Sequence, residues 1–157
     1  MKIALAQLNY IVGDFDGNLT KITAAVADAC SSGAELVVFS ELSICGYPPL
    51  DLLERKEFIH TCKHYIEKLA LGIDPGTGVL VGGPEFNPNK GGKLLFNSAF
   101  FLYDGKVQQV FRKSLLPTYD IFDEYRYFEP NRQFSILQGE EKGSDQEVYY
   151  RRDILKR

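Results

Sequence analysis

Cysteine is scarce and unevenly placed: Cys30, Cys45 and Cys62 are the only three in 157 residues, and none follows Cys62. An odd, unframed set argues against a disulfide-stapled secreted domain and fits reduced thiols in the cytoplasm. Long apolar runs are missing as well. None approaches the roughly 20 residues that cross a bilayer, and the opening Met1-Lys2-Ile3-Ala4-Leu5-Ala6-Gln7-Leu8 turns polar too soon for a secretory signal, so no membrane association is expected. Nor does charge of one sign accumulate. The net charge is −3 and the basic residues are scattered among acids, which leaves no field for a phosphate backbone and argues against nucleic acid as a partner. There is no internal repeat or low-complexity tract.

What is present belongs to an ordinary globular protein, with 45% hydrophobic and 13% aromatic residues. A chain of this length fits one domain and removes about 70% of its unfolded surface from water. Residues 2–8 read as a first strand, apolar enough to predict protein on both of its faces. Asn18 is the predicted N-cap of a helix running to about residue 31, with Leu19, Ile22, Val26 and Ala29 on one face and Gly33 as its stop. Residues 35–40 make the second strand, and this strand-helix-strand opening predicts parallel pairing.

The glycine and two prolines of Leu42-Ser43-Ile44-Cys45-Gly46-Tyr47-Pro48-Pro49 predict a shaped loop rather than a helix. An amphipathic helix over about 55–72 follows, with Phe58, Cys62, Tyr65, Ile66 and Leu69 at core spacing. Residues 79–83 are a third buried strand. Two extended runs, 95–103 and 106–113, flank Asp104-Gly105, a pair that tolerates positive φ and predicts a tight hairpin, so the sheet should be mixed. After a loop over 114–130, a short strand is expected at Phe134–Leu137. Residues 139–157 form a polar tail, in which Ser144 and Glu147 have capping-box spacing.

Two residues stand where chemistry is expected. Glu41 directly follows an apolar strand, at the end where open α/β sheets place ligands. Between Phe39 and Leu42 its carboxylate should be partly desolvated, with its pKa raised toward that of a general base. Lys113 closes the second hairpin strand, where an ammonium could steady an oxyanion. Each has a plainer reading, a solvated strand-end acid and a solvent-facing lysine. His60 and His64, four apart, could share a metal with Glu67, but flanking lysines favour a solvated face, and no metal or cofactor is expected.

The surrounding segments narrow the choice. Phe39-Ser40-Glu41-Leu42, Gly46-Tyr47-Pro48-Pro49-Leu50-Asp51-Leu52-Leu53 and Lys113-Ser114-Leu115-Leu116-Pro117-Thr118-Tyr119-Asp120-Ile121-Phe122-Asp123-Glu124 together resemble the nitrilase superfamily of carbon-nitrogen hydrolases. More specifically they are similar to the amino-terminal glutaminase domain of glutamine-dependent NAD+ synthetases. Ile3 to Asn9, Gly13-Asp14, Gly17-Asn18 and Asn97-Ser98-Ala99 fit the same pattern, which covers about residues 1–137.

The resemblance implies an α/β fold, a nitrilase-type α-β-β-α sandwich with a mixed sheet. It is expected to be incomplete at the C-terminus, with a partial hydrolase domain over 1–138. It implies that Glu41 is the general base and Lys113 the oxyanion cation. It further implies that Tyr119 contacts bound glutamine, that Phe122 walls the pocket and that Glu124 helps to orient the lysine. It also implies a cysteine nucleophile in a later Cys-Glu-Asp strand end, yet this sequence has no cysteine after Lys113. Cys45, four residues from Glu41, is a rival nucleophile at a position that the pattern does not use.

The Ser-Gly-Gly-x-Asp-Ser pyrophosphate signature of the synthetase domain occurs nowhere. The expected function is thus that of an amino-terminal part of a glutamine amidohydrolase domain, which in the complete enzyme supplies ammonia for amidation of deamido-NAD. By itself the chain should be inactive. The alternatives are a non-catalytic binding module and a hydrolase of another small amide. An incomplete sandwich should expose apolar sheet surface or an unpaired edge, so association into a homo-oligomer is expected.

Overall fold

A computed structural model describes residues 1–120 and 122–132. The expected strand at Phe134–Leu137, the Ser144/Glu147 cap and the polar tail lie outside the described residues. The elements run β1 (Ile3–Ala6), α1 (Phe15–Ser31), β2 (Leu36–Phe39), a 3-10 turn (Leu50–Glu54), α2 (Lys56–Leu71), β3 (Gly78–Phe86), β4 (Leu95–Tyr103), β5 (Lys106–Arg112) and α3 (Glu124–Tyr127). They build one five-stranded sheet in the order β1-β2-β3-β4-β5. The first three strands are parallel, joined by helical crossovers, and β4 and β5 are antiparallel. Asp104 and Gly105 take positive φ of 52° and 74°, the conformation a two-residue hairpin turn requires.

Strand alternation decides where the core sits. Val37 and Phe39 of β2, Val79 and Val81 of β3, and Phe100 and Leu102 of β4 share one face and are buried against Ile22 and Val26 of α1 and Ile59, Cys62, Ile66 and Leu69 of α2. The opposite face has no such cover among the described residues. Ile3 is 47% and Leu5 76% exposed, and Phe111 is open on the same side. This corrects the expectation that β1 is covered on both faces. A continuously apolar strand shows that both sides avoid water, and it looks the same when one cover is absent from the described residues.

The start of α1 is also corrected. Asp14, not Asn18, is the cap, and its carboxylate accepts from the Gly17 N–H at 3.0 Å. Asn18 lies one turn inside the helix and is fully buried. Its amide ties the entry loop down, accepting from Ile11 N at 3.0 Å and donating to Ile11 O at 2.8 Å. Both residue types cap helices well, so the choice between them rests on these tertiary partners.

Candidate active site

Glu41 leaves the carboxyl end of β2 on a turn that is held from three sides. Leu42 adopts φ +50°, which is unfavourable for a branched side chain and is sustained here by complete burial. Ser43 Oγ accepts from Gly82 N at 3.2 Å, and Ile44 N donates to Gly82 O at 3.1 Å. The turn sits so close to β3 that a Cβ on Gly82 would stand 2.4 Å from Leu42 N and 2.8 Å from Ser40 O. These are main-chain atoms that cannot swing aside. Gly82→Ala should therefore displace the Glu41 turn and cost about 3 kcal/mol, the upper range of overpacking; a thermal melt indistinguishable from wild type would show that the turn has slack.

Lys113 follows β5 by one residue, and both of its backbone groups are pinned. Its N–H donates to Asn97 O at 2.8 Å, extending the β4–β5 ladder, and its carbonyl accepts from Asn131 N at 3.0 Å. The ladder therefore sets Asn97 and Lys113 side by side. Glu124 opens the single turn of α3, which is fastened to β4 where Phe128 bridges Leu95 and Glu129 N donates to Leu95 O at 2.7 Å.

These segments bring Glu41, Lys113 and Glu124 into one cluster. Lys113 Nζ lies 2.8 Å from Glu41 Oε1 and 2.9 Å from Glu124 Oε2. Asn97, almost fully buried, donates its side-chain amide to Glu41 Oε1 and, at 3.4 Å, to Glu124 Oε2. Tyr47 completes the set by donating its hydroxyl to Glu124 Oε1 at 3.1 Å. The Glu41 side chain is 39% exposed, whereas that of Glu124 is only 6% exposed. Glu41 thus faces the opening and Glu124 backs the lysine.

One cation between two carboxylates separates their proton affinities. Burial pushes the Glu41 carboxyl up. The hydrogen bonds from Lys113, the contact with Glu124, the lysine charge and the Asn97 amide outweigh it, so Glu41 ends below the ordinary carboxylate value. This corrects the expected direction: apolar Phe39 and Leu42 flank the residue in sequence, while its carboxylate meets polar donors in space. Burial likewise pushes Glu124 up; Lys113 pulls it back, the neighbouring Glu41 raises it again, and the net shift is upward. For Lys113, burial works against the charged form but both glutamates more than restore it. Tyr47 is raised by burial and by Glu124, and so remains a donor.

The cluster stands at a cavity of about 290 Å³ lined by Ser40, Glu41, Gly82, Asn97, Ala99 and Lys113 among others. Tyr119 is not one of its lining residues. It is 69% exposed and touches Phe122 edge-on at 5.6 Å, and Phe122 in turn packs 6.4 Å from Tyr47. The aromatic pair therefore reaches the cluster through Tyr47, and Tyr119 stands outside the cavity that Glu41 and Lys113 line. Asn97 and Tyr47 lay inside the quoted sequence patterns without an assigned role. No local signal marks them, because their partners lie 27 to 77 positions away.

Cys45 is fully buried, with Sγ 3.5 Å from Leu42 O and 3.6 Å from Gly46 O, and so it faces the core. This removes the rival nucleophile. Cys62 is buried too, and its thiol is raised by contact with Cys45 and by burial. Cys30 pairs with Thr77 Oγ1 at 3.2 Å, beside the start of β3, while Glu41 stands beside Gly82 further along that strand. His60 packs on Phe86 and His64 on Tyr65. Among the described residues no group of three or more His, Cys, Asp or Glu side chains could hold a metal ion, and no helix is long and apolar enough to cross a membrane.

Residues 2–149 match the carbon-nitrogen hydrolase family. A glutamine-dependent NAD(+) synthetase of Synechocystis is 43% identical over 129 residues, 80% of this chain and 23% of the relative. The glutamine-dependent NAD+ synthetase of Acinetobacter baumannii, solved in complex with adenosine diphosphate, superposes with a TM-score of 0.75 at 33% identity, over 86% of this chain and 25% of that one. An amidase from Nesterenkonia superposes with a TM-score of 0.69 at 26% identity, over 85% of this chain and 49% of that one. A variant of that amidase carries acrylamide joined by Michael addition to its active site cysteine. The chain spans just under a quarter of the curated relatives' length, 23% for the Synechocystis protein. Its sheet is the mixed α/β sheet of the nitrilase fold, and the chain belongs to the carbon-nitrogen hydrolase family.

Proposed function

We propose that these residues are the base and oxyanion half of a glutamine amidohydrolase site, of the kind that feeds ammonia to the synthetase domain of a glutamine-dependent NAD+ synthetase. The observation that carries this reading is the Lys113 ammonium, 2.8 Å from Glu41 and 2.9 Å from Glu124 at the cavity. An ionised carboxylate there can take the proton of a thiol. The thiolate attacks the amide carbon while Lys113 steadies the oxyanion; Glu41 then gives its proton to the amide nitrogen, the carbon–nitrogen bond breaks, and ammonia leaves behind a thioester. The two roles are linked: as Lys113 turns from Glu41 toward an oxyanion, Glu41 loses its counter-charge and holds a proton more firmly. Glu124 keeps the lysine charged and in place meanwhile. Tyr119 and Phe122, packed against one another and, through Phe122, against Tyr47, are proposed to contact a bound amide from that side of the cluster.

No thiol of this chain meets that requirement. Cys45 and Cys62 are sealed in the core, and Cys30 sits at the far end of the sheet, so the 157 residues are proposed to bind an amide without turning it over. A binding module that keeps only the pocket is the second reading, favoured by the same observation. The sheet face around Leu5 and Phe111, open among the described residues, supports association with further protein, a second copy included, and the three unpaired thiols support a cytoplasmic setting.

Calorimetric titration of glutamine into the chain tests the reading, with glutamate as the control ligand. Saturable heat with glutamine, weakened at least tenfold in Glu41→Gln, is expected. A cooperatively melting chain that gives no heat with glutamine would remove the amide-site reading.

A further inference from the structure

The acceptor atoms of the cluster are unequally used. Glu124 accepts from Lys113 on both oxygens, from Tyr47 on Oε1 and from Asn97 on Oε2. Glu41 accepts from Lys113 and Asn97 on the same atom, Oε1. Its Oε2 is bound by neither, on a side chain that is partly open to the cavity.

Asn97 is placed for this task by the fold. Its backbone carbonyl accepts from Lys113 N at 2.8 Å, so the residue that steers the carboxylate also fixes where the lysine emerges. It is nearly fully buried, and its two amide protons go one to each glutamate. An amide that donates and carries no charge can hold both carboxylates beside one lysine. A third acid there would repel them, and an apolar side chain would remove one donor from each.

We propose that Asn97 is a positioning residue for Glu41: its amide pins Oε1 beside Lys113 and leaves Oε2 as the atom that takes a proton from whatever occupies the cavity. This rests on the reading of Glu41 as a base. Its physical core, the control of one carboxylate by one amide, can nevertheless be measured without any turnover. The net lowering of Glu41 below the ordinary carboxylate range is in keeping with it.

The test is an NMR titration of the full chain with side-chain carboxyl and amide signals resolved. In the wild type, the Asn97 side-chain amide signals should follow the titration of Glu41. Asn97→Leu should raise the Glu41 midpoint by about one pH unit, a tenfold gain in proton affinity, which is the scale of one lost hydrogen bond to a charged group. Asn97→Ser keeps a small polar group and serves if the leucine variant does not fold; the same upward direction is expected. Ser98→Ala, next on the strand and hydrogen-bonded to Glu85 instead, should leave the midpoint in place. An unchanged Glu41 midpoint in both Asn97 variants, or an equal shift in Ser98→Ala, overturns the proposal. If Glu41 responds as expected while glutamine gives no calorimetric heat, the positioning role stands and the amide-site reading falls.

Discussion

Incubated with glutamine, the purified 157-residue chain should release no ammonia above the uncatalysed background. The acyl-transfer route needs a thiolate beside Glu41, and the structure leaves none available: Cys45 and Cys62 are fully buried, and Cys30 is engaged with Thr77. Residues of such a constellation act as a unit, so removal of the nucleophile alone costs on the order of 10⁶ in rate. Glu41 and Lys113 would then have nothing to activate, and Lys113→Met should leave the background where it is. Steady ammonia release that disappears in Glu41→Ala would show that a nucleophile operates here after all. Continuous coupled detection of ammonia over hours is sensitive enough to decide.

Lys113→Met should have a large effect on stability instead. It removes the only ammonium hydrogen-bonded to either glutamate among the described residues, and a carboxylate whose side chain is 6% exposed keeps the Tyr47 and Asn97 donors but loses that counter-charge. Removing one member of a buried pair costs about 3 kcal/mol at the low end, and the partial exposure of Glu41 keeps the expected loss there. That corresponds to roughly 10 °C in melting temperature for a chain of this size.

The pH dependence gives the loss its signature. In the wild type, the lowered pKa of Glu41 contributes stability above its unfolded value, and this is lost as pH falls through the folded value. The raised pKa of Lys113 contributes below its unfolded value and is lost as pH rises through the folded one. Glu124 acts in the opposite sense to Glu41, because its raised pKa favours the folded state at low pH and weakens that preference as pH rises through the carboxylate range. In Lys113→Met both carboxyls lose the cation and behave like Glu124. The gap between variant and wild type should then be widest near neutral pH and narrow toward pH 4; a gap independent of pH would mean that the lysine contributes packing rather than charge.

Much of this was legible in the sequence because the signals were local. Asp104-Gly105 marked the hairpin, and the pairing that follows from it sets Lys113 beside Asn97. The apolar run ending at Phe39 marked the strand end from which Glu41 emerges. What could not be read depended on partners distant in sequence. Asn18 was taken from its capping role by Ile11, and Asn97 is meaningful only once Glu41 and Glu124 stand on either side of it. The direction of the Glu41 shift is not legible in the sequence, because the sequence neighbours are apolar while the spatial neighbours include the Lys113 ammonium and the Asn97 amide. Tyr119 sits on a loop whose path no local pattern dictates, and the face of β1 left open among the described residues looks like a covered one in sequence.

Glu41, Lys113, Glu124 and Asn97 are proposed to form one preformed site for a small amide. Mapping NMR shift changes across the chain during a glutamine titration tests it most directly. Saturable changes that share one dissociation constant and centre on Glu41, Gly82, Asn97 and Lys113, all of which line the cavity, are expected. Changes confined to the separate hollow between α2 and the hairpin, around Ile59, Phe86 and Val110, or no saturable change in a folded chain, would contradict it.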